Sequence, residues 1–143
     1  MVRWSGVVAG LLVACAPPDP PVGGGALGVE ILHPPADVGS VALDDDGVLR
    51  ILIVVDVNGI EFVEPGTVDE DVEGQGHWHL HVNGGYEGPP PARFILWEDE
   101  AAEEGQNYAI RASMATNDHN DVIVDGIPVD DTIEFTIAAA GGS

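Results

Sequence analysis

The sequence has no lysine, a single cysteine and few aromatic residues, and these scarcities close off whole classes of protein. Its four basic side chains, Arg3, Arg50, Arg93 and Arg111, face 25 aspartates and glutamates, for a formal net charge of −21. So acidic a surface repels phosphate backbones, which excludes nucleic-acid binding. It repels anionic lipid too, so any membrane attachment has to come from something other than a basic patch. One cysteine makes no intramolecular disulfide. No apolar run reaches the roughly 20 residues that a membrane-spanning helix needs, and no stretch shows a convincing helical period. A Gly-x-Ser-x-Gly elbow and a phosphate-cradling glycine loop are both missing, and Ser113 and the histidines form no nucleophile–base motif. With no general acid or base identifiable beyond the histidines, a metalloenzyme ranks third, behind the non-catalytic readings of the chain.

What is present starts with enough apolar material, 45% of the residues, to exclude wholesale disorder. A chain of 143 residues makes one domain and a tail. Its negative field attracts cations, metal ions included. The same lysine-free surface also serves simple solubility.

Residues 1–14 have the layout of an export signal. Arg3 supplies a positive start, and Gly6-Val-Val-Ala-Gly-Leu-Leu-Val-Ala14 a short apolar stretch. Leu12-Val13-Ala14-Cys15 resembles the lipobox of bacterial lipoproteins, in which small residues precede an acylated cysteine. That resemblance implies cleavage before Cys15, a diacylglyceryl thioether on it, and acylation of the new amino group. Two or more acyl chains anchor a protein stably, where one does not. The mature chain then carries three arginines against 25 carboxylates, a formal net of −22. Residues 15–26 continue as a tether, Ala16-Pro-Pro-Asp-Pro-Pro-Val-Gly-Gly-Gly25, partly stiff and partly flexible. Alanine after the cysteine resembles the outer-membrane sorting pattern, so the expected location is the cell envelope, lipid-anchored at the outer membrane or periplasmic face.

From residue 27 to residue 140 the dominant period is two. Val29–His33 reads as a strand stopped by Pro34-Pro35, and Leu49–Val57 as a long strand buried on one face. Asn58-Gly59 predicts a tight hairpin into Ile60–Val63. Further strands are expected at His77–Asn83, Phe94–Trp97, Asn107–Met114 and Thr132–Ile137, with Glu98–Gly105 as a helical turn or an acidic loop. About seven short strands in roughly 110 residues predict an all-β fold, an immunoglobulin-like antiparallel β-sandwich, with a small closed barrel as the alternative.

Gly76-His-Trp-His-Leu-His-Val-Asn-Gly84 holds three of the five histidines. In a strand His77, His79 and His81 share one face, and Trp78, Leu80 and Val82 the other. Burial belongs to the apolar row, so the histidines face outward or lie under a covering loop. Imidazole is the commonest metal-ligating side chain and needs no deprotonation at neutral pH. Neighbours at i and i+2 stand about 6.7 Å apart and can share one ion, whereas His77 and His81, about 13 Å apart, cannot easily do so. A site therefore takes one adjacent pair and completes itself elsewhere. The expected source is the loop Thr116-Asn-Asp-His-Asn-Asp121, which offers His119 with Asp118 or Asp121. Copper or zinc suits such nitrogen and oxygen ligation, with one or two positions open.

The His-x-His-x-His strand resembles the His-x-His copper-binding strand of copper–zinc superoxide dismutases. Nothing in this chain matches that family's bridging histidine, zinc loop or disulfide, so dismutase activity does not carry over. In layout the chain also resembles small uncharacterised bacterial lipoproteins with a Gly-His-x-His strand, a likeness that implies no activity. The competing reading is a polar strand face without metal, its histidines packed on Tyr86 or bonded to carboxylates. His33, before two prolines, is expected to be structural.

Asp44-Asp-Asp-Gly47, Asp69-Glu-Asp71 and Asp130-Asp131 are candidate calcium turns, but none has EF-hand spacing. Arg50 and Arg111 are expected to pair with carboxylates, and Trp78 and Trp97 to join the core. The sequence thus predicts an envelope lipoprotein whose sandwich binds copper or zinc for sensing, storage or delivery. The alternative is a metal-free structural module or one that meets an envelope protein partner.

Overall fold

The structure is a computed structural model that describes residues 26–139. The expected leader, Cys15 and the tether through residue 25 lie outside the described residues.

The described chain is built from strands: β1 (Gly28–His33), β2 (Ser40–Val41), β3 (Leu49–Asn58), β4 (Glu61–Phe62), β5 (Gln75–Val82), β6 (Gly85–Gly88), β7 (Phe94–Asp99), β8 (Asn107–Ala115), β9 (Ile123–Val124), β10 (Ile127–Pro128) and β11 (Asp130–Ile137). The period-two pattern explains the longest of them. Leu49, Ile51, Ile53, Val55 and Val57 are all buried on one face of β3, while Leu52 on the other is exposed. Antiparallel partners flank β3 on both sides, β1 and β7, and together the three form one sheet. In the second sheet β8 lies between β5 and β11, antiparallel to both. Short strands trim its edges: β2 runs parallel to β11, β6 antiparallel to β5, and β4 parallel to β5.

The two sheets face each other through side chains that alternation had assigned inward. Trp78, Leu80 and Val82 of β5, Tyr108, Ile110, Ala112 and Met114 of β8, and Ile133, Phe135 and Ile137 of β11 join the buried row of β3 in one core. Each fully buried side chain of this size stabilises the fold by about 1.5–3 kcal/mol relative to exposure. Polar atoms carried inward find partners. Trp78 Nε1 donates to the Ala92 carbonyl at 2.8 Å. The Tyr108 hydroxyl donates to Asp99 at 2.6 Å, tying β8 to the end of β7 across the sandwich, and burial and Asp99 together push its phenol above the ordinary range. Seven strands of four residues or more, in sheets β1-β3-β7 and β11-β8-β5-β6, make an immunoglobulin-like sandwich, as the sequence predicts.

Two expectations need correction or choice. Asn58-Gly59 does turn the chain, with Gly59 at φ +80°, but no hairpin with β3 follows. Both edges of β3 are already taken by β1 and β7, so the chain crosses to the other sheet and lays β4 beside β5. Between Glu98 and Gly105 no helical turn forms: β7 runs on to Asp99 and an acidic loop follows.

Candidate metal centre

Strand register places the histidines. On β5, His77 lies opposite Ala115 of β8, His79 opposite Ser113 and His81 opposite Arg111. Opposed residues share a face, so the whole histidine row lies on the side away from Trp78 and Leu80. The loop that carries His119 leaves β8 at Ala115, directly beside His77. It folds back at once: Ala115 bridges Asp121, and Thr116 N–H donates to the Asn120 carbonyl at 2.9 Å. Asp118 accepts from the Thr116 hydroxyl and, at 2.7 Å, from Asn120 Nδ2. His119 takes a left-handed backbone, φ +65°, which is uncommon outside glycine but enriched for histidine and asparagine. Within the loop Asn117 is 2% exposed; its Nδ2 donates to Gln75 at 3.3 Å, and its Oδ1 is buried without a hydrogen-bond partner.

This loop is the covering element, and under it His77 and His79 are 1% and 5% exposed. Three ring nitrogens converge: His77 Nε2 and His79 Nε2 are 3.1 Å apart, and His119 Nδ1 lies 3.2 Å from the first and 3.3 Å from the second. A neutral imidazole has one donor and one acceptor nitrogen, so hydrogen bonding alone leaves this nearly equilateral triangle unsatisfied. A single cation satisfies all three lone pairs. Burial favours the neutral, metal-binding form. It lowers His77 with help from His119, and burial, then His77 and His119, hold His79 down to about 4.

Of the six residues singled out in the sequence, the structure gathers three. His77, His79 and His119 present ligand atoms within 4.8 Å of one another, a set that includes no carboxylate among the described residues. His81 turns aside, with Nε2 3.3 Å from Ser113 Oγ and its ring 5.5 Å from that of Tyr86. Asp118 is engaged within its own loop, and Asp121 acts on His79 and His81 as a nearby charge. His33 is exposed on the other sheet. Two candidate calcium turns are occupied by arginines: Arg50 bonds Asp44, Asp46 and Glu98, each at 2.8 Å, and Arg111 bonds Asp130 at 2.6 Å.

Sequence reasoning did not single out Gly76. A Cβ there would stand 2.3 Å from the Ala115 carbonyl oxygen, so this glycine lets β5 approach β8 where the two halves of the site meet. A glycine inside a strand, next to the first histidine, was the available signal.

No protein-family model and no curated relative matches the chain. A solved structure of fibronectin(III)-like modules of CbhA from Clostridium thermocellum is similar over 77% of this chain and 96% of that one, at 16% identity and a TM-score of 0.44. So distant a likeness carries nothing about function, and the sandwich stands on its own strand pairing.

Proposed function

We propose that this protein is a lipid-anchored envelope protein whose sandwich holds zinc through His77, His79 and His119. The observation that carries the metal reading is the triangle of nitrogens with edges of 3.1, 3.2 and 3.3 Å. For zinc bound at about 2.0–2.1 Å, the edge of a tetrahedron is about 3.3–3.4 Å. A square-planar copper(II) site with three such ligands needs one pair in trans, about 4 Å apart, and no pair here is. Zinc therefore fits better than square-planar copper(II). The lipobox at Cys15 and the Pro/Gly tether support the address, since an acidic domain has no charge of its own with which to hold a membrane. An exported domain also meets free metal ions that the cytoplasm buffers away, which suits sensing, storage or delivery.

A metal titration of the chain carrying Cys15→Ser tests the centre. One zinc is expected per chain, with affinity lowered at least about 100-fold by His79→Ala or His119→Ala and little changed by His81→Ala. Equal uptake by all variants refutes the site. Fractionation tests the anchor: wild type is expected with membranes and Cys15→Ser in the soluble fraction.

A second reading, a metal-free interaction module, is favoured by one feature. The outer face of the three-stranded sheet exposes Leu32, Leu52, Phe94 and Leu96, with Leu52 and Leu96 paired in register. Absence of stoichiometric metal binding would leave this reading in place.

A further inference from the structure

If three imidazoles hold the ion, as proposed above, a tetrahedral centre has one position left. Among the described residues no carboxylate closes on it, for the group within 4.8 Å consists of the three histidines alone. Asp118 is held by Thr116 and Asn120, and the Asp121 backbone bridges Ala115 at the base of the loop. Next to the triangle the same sheet face continues in polar side chains. His81 lies one two-residue repeat beyond His79, against Ser113 Oγ and opposite Arg111. Tyr86 of β6 packs against both His79 and His81, with ring centroids 5.1 and 5.5 Å away. Arg111 engages Asp130 through Nε.

We propose that the open metal position and this patch together bind a small oxyanion of the carboxylate or carbonate class. One oxygen sits on the metal, and the other accepts hydrogen bonds from His81, Ser113 or Arg111. The reach is right. It runs through Ser113, which stands opposite His79 in register and holds the His81 ring at 3.3 Å. Cross-strand neighbours lie about 4.5–5.5 Å apart, inside the span of a carboxylate that joins a metal–oxygen bond of about 2 Å to a hydrogen bond of about 2.8 Å. The charge is right as well. Neutral imidazoles add no charge of their own, so the ion's double charge exceeds that of nearby Asp121, and the Arg111 guanidinium, bonded to Asp130 through Nε, is a planar donor group suited to carboxylates. On a chain of net charge −21, this is where an anion is drawn in. A metal so placed supplies Lewis-acid activation of the oxygen it binds.

The test uses cobalt(II) as the metal, because its visible bands respond to a change of ligand. The cobalt-loaded Cys15→Ser chain is titrated with sodium acetate and with bicarbonate at constant ionic strength. A saturable spectral change is expected with both anions. His81→Ala and Arg111→Gln should keep cobalt affinity and weaken anion binding by about tenfold each, the loss of one hydrogen bond to a charged ligand. Cobalt bound with bands that ignore both anions, or an anion response that neither substitution alters, overturns the oxyanion site and leaves the metal centre standing. Loss of cobalt on His81→Ala makes His81 a ligand and overturns it too. Failure of the unsubstituted chain to bind cobalt overturns the metal centre itself.

Discussion

His79 is 5% exposed, and its imidazole is held down to about 4 by burial and by its neighbours His77 and His119. An unfolded histidine takes up its proton near 6.5, so between these values the unfolded chain binds a proton that the folded one refuses. The sign follows. The stability of the metal-free protein is undiminished by this group above about pH 6.5 and falls as pH drops toward 4, by an amount on the order of 3 kcal/mol. His77 is shifted in the same direction and adds to the slope. Protonation of the many carboxylates also changes stability over this range, so the measurement is a difference. Urea unfolding of wild type and His79→Gln at pH 7.5 and 4.5 should show a smaller loss in the variant. An equal loss in both would mean that His79 is not held neutral by the fold.

Between elements, the decisive contact is β5 against β8. A Cβ on Gly76 meets the Ala115 carbonyl oxygen at 2.3 Å and Ile60 Cδ1 at 3.0 Å, and a backbone oxygen in a sheet cannot step aside cheaply. Gly76→Ala is therefore expected to cost about 1–3 kcal/mol or more, the range for overpacking. Because Ala115 launches the His119 loop, it should weaken zinc binding as well. Gly28→Ala, whose Cβ meets nothing within 4 Å, is the control and should change neither urea midpoint nor zinc affinity. The same pairing shows what the sequence could reveal. The period-two pattern and short apolar runs identified β1, β3, β5, β7, β8 and β11, because each turns an apolar row to the core. On β5 the other face buries His77 and His79 as well, and the inward row of β7 is only half-buried. Alternation placed His77 and His79 together, but it could not choose between the pairs His77–His79 and His79–His81. That choice is made by the exit of β8 at Ala115, opposite His77, a register fixed by tertiary pairing. The parallel docking of β4 and the short β2, β6, β9 and β10 were illegible for a related reason: two to four residues carry too little pattern, and the partner of β2, the strand β11, lies far along the chain.

For the molecule as a whole, the question is how an ion finds three imidazoles on a surface with 25 carboxylates, many able to hold a cation loosely. Loose binding to exposed carboxylates is screened by salt, whereas ligation by buried His77 and His79 is screened far less. The two are therefore separable by thermal unfolding at two salt concentrations. Metal that binds only the folded state stabilises it by about 2.7 kcal/mol at 100 times the dissociation constant. For a domain of this size that raises Tm on the order of 10 °C. With zinc in that excess, wild type should gain this shift at both low and high salt and lose it on addition of EDTA. His119→Ala should keep only the part of the shift that high salt abolishes. Salt without metal should raise the Tm of both proteins, by screening the repulsion of a chain so far from neutrality. If zinc stabilises wild type and His119→Ala equally at high salt, the ion is held elsewhere and the triangle of histidines is not its site.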